Sequence, residues 1–200
     1  MDIERKKNIA VLASGGGSNL ASIINAINDN MLTNVNIALV ISDRENAYAL
    51  TRATDAGIPA VYVKRSLYAS DEEYDVFITE TLKSYNTDIV VLAGYLRIIT
   101  EPFLKAFENK ILNIHPSLLP DFGGKGMYGM KVHQSVINSK AQKSGCTVHL
   151  VTKEVDGGPI LDRAIVSVMP EDTPEILAAK VLKEEHKLYP KALSDFISAL

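Results

Sequence analysis

Short apolar runs alternate along most of the chain with stretches whose apolar residues recur every three or four positions. Asn8 to Ala13, Val35 to Ser42, Ala60 to Val63 and Asp88 to Ala93 read as strands. Between them, Leu20, Ile23, Ile24 and Ile27 mark one helix, and Ala47 to Ala56 a second that Gly57 stops. A third runs through Val76, Phe77, Thr81 and Leu82 towards Tyr85, opened by the capping box Ser70-Asp71-Glu72-Glu73. Strands and helices in this alternation predict an α/β fold with a parallel sheet and right-handed crossovers. The strand Asp88 to Ala93, apolar after its first residue, belongs at the centre of such a sheet. Further on, Ile111 to Ile114 predicts another strand and Lys131 to Ser139 a helix. Cys146 to Thr152 and Ile160 to Val168 predict an antiparallel hairpin at the sheet margin, turned by Val155-Asp156-Gly157-Gly158-Pro159. Thr173 and Pro174 start a helix expected to run to about Leu188, with Pro190 interrupting it before a short amphipathic end.

Candidate chemistry collects at strand ends. In Asn113-Ile114-His115-Pro116-Ser117-Leu118-Leu119-Pro120, the residue before a proline is driven to extended geometry, so Asn113 and His115 leave the strand on one face. An amide NH2 beside an imidazole can serve as an oxyanion donor with a proton carrier; the same pair can equally be a turn Asn and a structurally bonded His. The loop Ser14-Gly15-Gly16-Gly17-Ser18-Asn19 lies between strand and helix, where backbone N–H groups and the helix dipole favour a monophosphate, although a plain glycine turn has the same pattern. It is neither a dinucleotide fingerprint nor a Walker loop, because Leu20 takes the third glycine position and no Gly-Lys-Ser/Thr follows. Gly94 to Ile99 leaves the carboxyl end of the central strand, where α/β sheets bind ligands; Arg97 there is either a site residue or a surface residue with a buried stem. Asp156 before two glycines is a turn residue or an acid, and the glycine-rich segment Gly123 to Met130 is a lid or an exposed insertion.

Composition narrows the classes. Two hundred residues, 46% of them apolar, with net charge −3, describe one domain spanning 1–200. Lys and Arg number 21 against 24 acids, and Arg5-Lys6-Lys7 is the basic cluster, so a nucleic-acid or membrane partner is not expected. The start Met1 to Lys7 lacks the apolar core of a signal peptide, and the apolar run Ile89 to Leu96 is too short to span a bilayer, which predicts a cytoplasmic protein. A single cysteine, Cys146, forms no internal disulfide and is expected to be a half-buried thiol, not a nucleophile. The four histidines lack metal-ligand spacing, so no metal is expected.

Ala13 to Asn19, Leu92 to Ile98, Asn113 to Pro120 and Val155 to Pro159 together resemble the phosphoribosylglycinamide formyltransferases, folate-dependent enzymes of purine synthesis, over nearly the whole chain. The resemblance implies a mixed, mostly parallel twisted sheet of seven strands with helices on both faces. Its Rossmann-like half, about 1–110, would bind the ribotide phosphate, and about 111–200 would carry catalysis and folate binding. It implies Asn113, His115 and Asp156 as catalytic residues, with Asp156 keeping the imidazole charged. Gly17, Ser18, Asn19 and Glu185 would hold 5-phosphoribosylglycinamide (GAR). Leu96, Arg97, Ile98 and Ile99, with Asn113, would hold 10-formyltetrahydrofolate as co-substrate. Where that family often has a basic folate contact this chain has Asp71, leaving Lys64 or Arg65 as substitutes. The implied partners are small molecules, in a monomer or homodimer. Methionyl-tRNA formyltransferase and formyltetrahydrofolate hydrolase share the catalytic trio, but the first is expected to carry a basic carboxyl-terminal domain and the second a preceding regulatory domain. A non-catalytic nucleotide-binding module would have the glycine loop and no use for the trio.

Overall fold

A computed structural model describes residues 5–200; the start Met1 to Glu4 lies outside the described residues. Seven strands lie in one sheet, and counted in chain order they run third, second, first, fourth, fifth, sixth, seventh across it. The chain's contacts group into two units, Met1–Leu112 and Asn113–Leu200.

In the first unit, β1 (Lys7–Leu12) pairs in parallel with β2 (Val35–Ser42) and with β4 (Ile89–Leu92), and β2 pairs in parallel with β3 (Ala60–Tyr62). All four residues of β4 are buried, as an apolar run without alternation requires at a position with neighbours on both sides. Helix α1 (Ser18–Asn28) buries Leu20, Ile23 and Ala26; α2 (Tyr48–Asp55) buries Ala49 and Ala53. Helix α3 (Asp71–Ser84) buries Tyr74, Ile78 and Leu82, one per turn. Its capping box is shifted by a residue. The Ser70 side chain accepts from the Glu73 N–H at 3.1 Å, and the Glu73 carboxylate reaches back to the Ala69 N–H at 3.0 Å, not to that of Ser70. Two elements had no signal at helical period, a single turn at Arg65–Leu67 and α4 (Glu101–Ala106), whose Pro102 stands in the first turn.

The strand β5 (Ile111–His115) leads into the second unit. There α5 (Met130–Asn138) precedes the antiparallel pair β6 (Lys143–Leu150) and β7 (Ile160–Ser167). The expected start of β6 at Cys146 is corrected to Lys143. Lys143-Ser144-Gly145 looks too polar for a strand, yet Ser144 pairs with Val166 and Gly145 with Ile165. Cys146 is fully buried, where half-burial was expected. The last helix also differs: α6 is one continuous helix, Pro174–Ser198, and Pro190 lies inside it. A mid-helix proline forgoes one backbone bond and bends the axis, which ordinarily costs about 3 kcal/mol. Here Leu188, Tyr189, Pro190, Ala192 and Leu193 are all buried, so packing on both sides of the proline outweighs the break.

Candidate active site

In the second unit, β5 and the β6–β7 turn bring four polar side chains together. Asn113 and His115, two apart on β5, share a face as their spacing requires. Asp156 reaches them from the β6–β7 turn, where it adopts the left-handed conformation (φ 58°) suited to an Asp before Gly157. Its carboxylate does not close on its own turn. Oδ2 lies 3.5 Å from His115 Nδ1 and accepts the Gly124 N–H at 2.9 Å, while Oδ1 lies 3.6 Å from His149 Nε2. His115 Nε2 is 2.9 Å from the Phe122 carbonyl, so this nitrogen carries a proton.

His149, on β6, is a member of the cluster that sequence reasoning misses. Its Nδ1 lies 3.0 Å from the Leu150 carbonyl and therefore bears the hydrogen, leaving Nε2 to accept from the Asn113 side-chain NH2 at 3.1 Å. Burial holds the His149 pKa below the usual histidine value and the neighbouring His115 lowers it further, while the Leu150 carbonyl and Asp156 oppose the shift. The neutral ring thus fixes which way the Asn113 amide points.

The glycine-rich segment begins docked on this cluster. Phe122, itself at positive φ, presents its carbonyl to His115, and Gly124 gives its N–H to Asp156. A Cβ on Gly123 would come within 2.4 Å of a Leu119 methyl and 3.3 Å of the Asp156 Cβ, so a larger residue here would require the Leu119 side chain to move. Glu185 is buried on α6, near enough to Cys146 to help raise its thiol pKa; burial, the main cause, pushes it up to about 12. That excludes Cys146 as a nucleophile near neutral pH. Among the described residues no group of three or more His, Cys, Asp or Glu is placed to hold a metal ion.

The first unit holds the other two sets of candidate residues. Gly17 takes φ 68° at the start of α1, and a Cβ there would lie 2.7 Å from the Ala49 Cα of α2. Ser18 and Asn19 follow in the first turn of α1. Leu96 to Ile99 is clamped at both ends: Ser14 Oγ accepts the Leu96 N–H at 2.9 Å, and buried Asp75 accepts both the N–H and the hydroxyl of Thr100 at 2.7 Å. Leu96 and Ile98 stand 46% and 56% exposed, whereas Ile99 is buried. Arg97 lies 5.1 Å above the Tyr74 ring and is ion-paired to Asp71, which also accepts from Arg65 at 2.5 Å. The hydrogen bond from Arg65, then the charges of both arginines, hold the Asp71 carboxyl below the usual range. Where a basic residue was anticipated, an acid therefore ties two arginines together. The alternatives left open, Lys64 and Arg65, differ in that Arg65 is engaged by Asp71 and by the Tyr68 carbonyl at 2.6 Å.

The formyl transferase family profile matches residues 7–193. A phosphoribosylglycinamide formyltransferase of Haemophilus influenzae is 42% identical over 95% of this chain and 87% of its own length. The chain belongs to the phosphoribosylglycinamide formyltransferase family. Within that family, the chloroplastic enzyme of Arabidopsis thaliana is 44% identical over 92% of this chain, which spans only 63% of that protein; the trifunctional purine biosynthetic protein of Drosophila melanogaster is 37% identical, and the chain spans 14% of it. A glycinamide ribonucleotide transformylase from Symbiobacterium toebii superposes with TM-score 0.91 at 41% identity, covering 96% of this chain and 88% of the other. The phosphoribosylglycinamide formyltransferase of Brucella melitensis gives 0.89 at 41%, covering 98% of each. The seven-stranded, mostly parallel sheet is the fold of this family. Among the described residues no helix is long and apolar enough to cross a membrane.

Proposed function

We propose that this chain transfers the formyl group of 10-formyltetrahydrofolate to the glycinamide amine of GAR, giving N-formyl-GAR and tetrahydrofolate in de novo purine synthesis, in the cytoplasm. The observation that carries the reading is the part-buried cluster of Asn113, His115, Asp156 and His149 in a member of this family.

In this mechanism the uncharged amine attacks the formyl carbon on N10, making a C–N bond and a tetrahedral centre with a negative oxygen. That oxygen receives the Asn113 N–H not committed to His149, and takes the His115 Nε2 hydrogen in place of the Phe122 carbonyl that holds it in the free protein. His115 already gives its Nε2 hydrogen to the Phe122 carbonyl, so a neutral ring would turn a lone pair on Nδ1 towards the Asp156 carboxylate. A protonated ring offers it an N–H instead, and the arrangement suits the imidazolium. Collapse of the intermediate breaks the bond to N10. The attacking nitrogen loses one proton and N10 gains one, exchanged through His115 and Asp156 with ordered water.

Gly17, Ser18 and Asn19 are assigned to the ribotide phosphate and ribose, and Glu185 to the glycinamide end. Leu96 to Ile99 are assigned to the pterin, whose apolar ring faces suit the exposed Leu96 and Ile98 side chains. The purified chain supplied with 10-formyltetrahydrofolate and, in parallel, GAR, initiator methionyl-tRNA or water should consume folate only with GAR. Equal turnover with water alone would make it a hydrolase, and turnover confined to tRNA would contradict the assigned acceptor.

A further inference from the structure

We propose that Arg52 is a positioning residue for the phosphate of the ribotide, acting through the Gly16 carbonyl. This rests on the assignment of the glycine loop to a phosphate and adds to it an element, α2, that the loop motif does not include. Three successive carbonyls of the loop have partners: Gly15 O accepts the Ala49 N–H at 3.1 Å, Gly16 O accepts Arg52 Nε at 2.8 Å, and Gly17 O accepts the Ala21 N–H at 2.9 Å. In a trans peptide the C=O and the following N–H point in opposite directions. Drawing the carbonyls of Gly15 and Gly16 onto α2 therefore turns the N–H groups of Gly16 and Gly17 away from α2. Among the described residues these two amides donate to no protein group. Two adjacent free amides, with Gly17 in the left-handed conformation, make an anion-binding nest.

Arg52 is itself held in place. Its guanidinium carbon lies 4.8 Å from the ring centroid of Tyr48, one turn earlier on α2. Among the described residues no carboxylate pairs with it, so its charge is retained beside the loop. The Ala49 contact orients the Gly15 peptide through backbone alone, which no side-chain change reaches. The Gly16 peptide, by contrast, is oriented by a side chain and can be released by substitution.

The test is Arg52→Met beside Arg52→Gln, measured by calorimetric titration with ribose 5-phosphate and by steady-state kinetics with both substrates. Arg52→Met should raise the Kd for ribose 5-phosphate and the KM for GAR by about tenfold, the size of one charge-assisted bond, and leave kcat and the folate KM within about twofold. Arg52→Gln removes the charge but keeps an N–H able to reach Gly16 O, and should recover at least half of that loss on a logarithmic scale. Equal losses in the two variants would assign the effect to charge and overturn positioning, as would no loss in Arg52→Met or equal weakening of both substrates. Wild-type protein that binds ribose 5-phosphate and transfers no formyl group would refute the proposed reaction, leaving the Arg52 test to be decided on binding. Wild-type protein that binds no phosphate ester would overturn both.

Discussion

Replacing His149 with leucine removes the nitrogen that receives the Asn113 amide, without adding charge and with little change in volume. The substitution deletes the neutral 3.1 Å bond from Asn113, between part-buried groups, together with the local bond from His149 Nδ1 to the Leu150 carbonyl, which does not touch Asn113. Such a bond is worth ~1 kcal/mol net, and ~3 kcal/mol where a buried donor is left unsatisfied. At about 1.4 kcal/mol per decade this corresponds to a fall in kcat between roughly fivefold and roughly hundredfold. Removing the amide itself, in Asn113→Ala, takes away the oxyanion donor and should cost about 10²- to 10³-fold. The two losses should not multiply. If His149 acts by orienting Asn113, then His149→Leu in the Asn113→Ala background should lower kcat by less than about twofold. The assay is the initial rate at saturating GAR and folate, followed by the absorbance change on folate turnover, with circular dichroism to verify folding. Equal fold-losses in both backgrounds, or a loss confined to KM, would refute the orienting role.

The other predictions follow from particular contacts. Gly17→Val forces a branched side chain onto Ala49 and into φ 68°, and should raise the KM for GAR at least about tenfold while sparing that for folate; equal weakening of both would contradict the assignment. Arg97→Ala should weaken a 5-deaza folate analogue more than Asp71→Ala, because Asp71 is half-exposed and an exposed ion pair contributes only ~0–1 kcal/mol, or at most about fivefold; the reverse order by calorimetry would remove Arg97 from the folate site. Burial holds both His149 and His133 below the ordinary histidine pKa, so the unfolded chain binds more protons than the native one. The stability they contribute is complete above ~6.5 and is lost as pH falls towards their folded values. Tm should therefore drop between pH 7 and pH 5, less steeply in His133→Leu, and an identical slope in the variant would exclude His133. Cys146, pushed up to about 12, should resist alkylation at pH 8 in the native protein and react after unfolding; rapid native labelling would show an open site.

The features legible in sequence are those that depend on near neighbours. The apolar run of β4, the Ser70 cap and the β6–β7 hairpin each rest on contiguous residues, and each is present. Asn113 and His115 share a face because strand geometry alone requires it. What escaped depends on distant partners. His149 looks like an ordinary strand position, and its significance comes from Asn113, 36 residues earlier. Arg52 and Asp75 carry no local signal, and their contacts are with Gly16, 36 residues earlier, and Thr100, 25 residues later. Pro190 carries a strong local stop signal, which the burial of Leu188, Tyr189 and Leu193 overrides. The six residues of α4 are too few for a periodic pattern to stand out.

The proposed reaction moves a formyl group directly from folate to the glycinamide amine at the cluster of Asn113, His115, Asp156 and His149. Its most direct test follows carbon-labelled formyl by NMR in a single turnover, with enzyme in excess over 10-[¹³C]formyltetrahydrofolate and GAR present. The label should pass to the amide of N-formyl-GAR in step with the appearance of tetrahydrofolate, and transfer should cease in the His115→Ala variant while both substrates still bind. Label appearing as free formate, or transfer persisting at the wild-type rate without His115, would contradict the account.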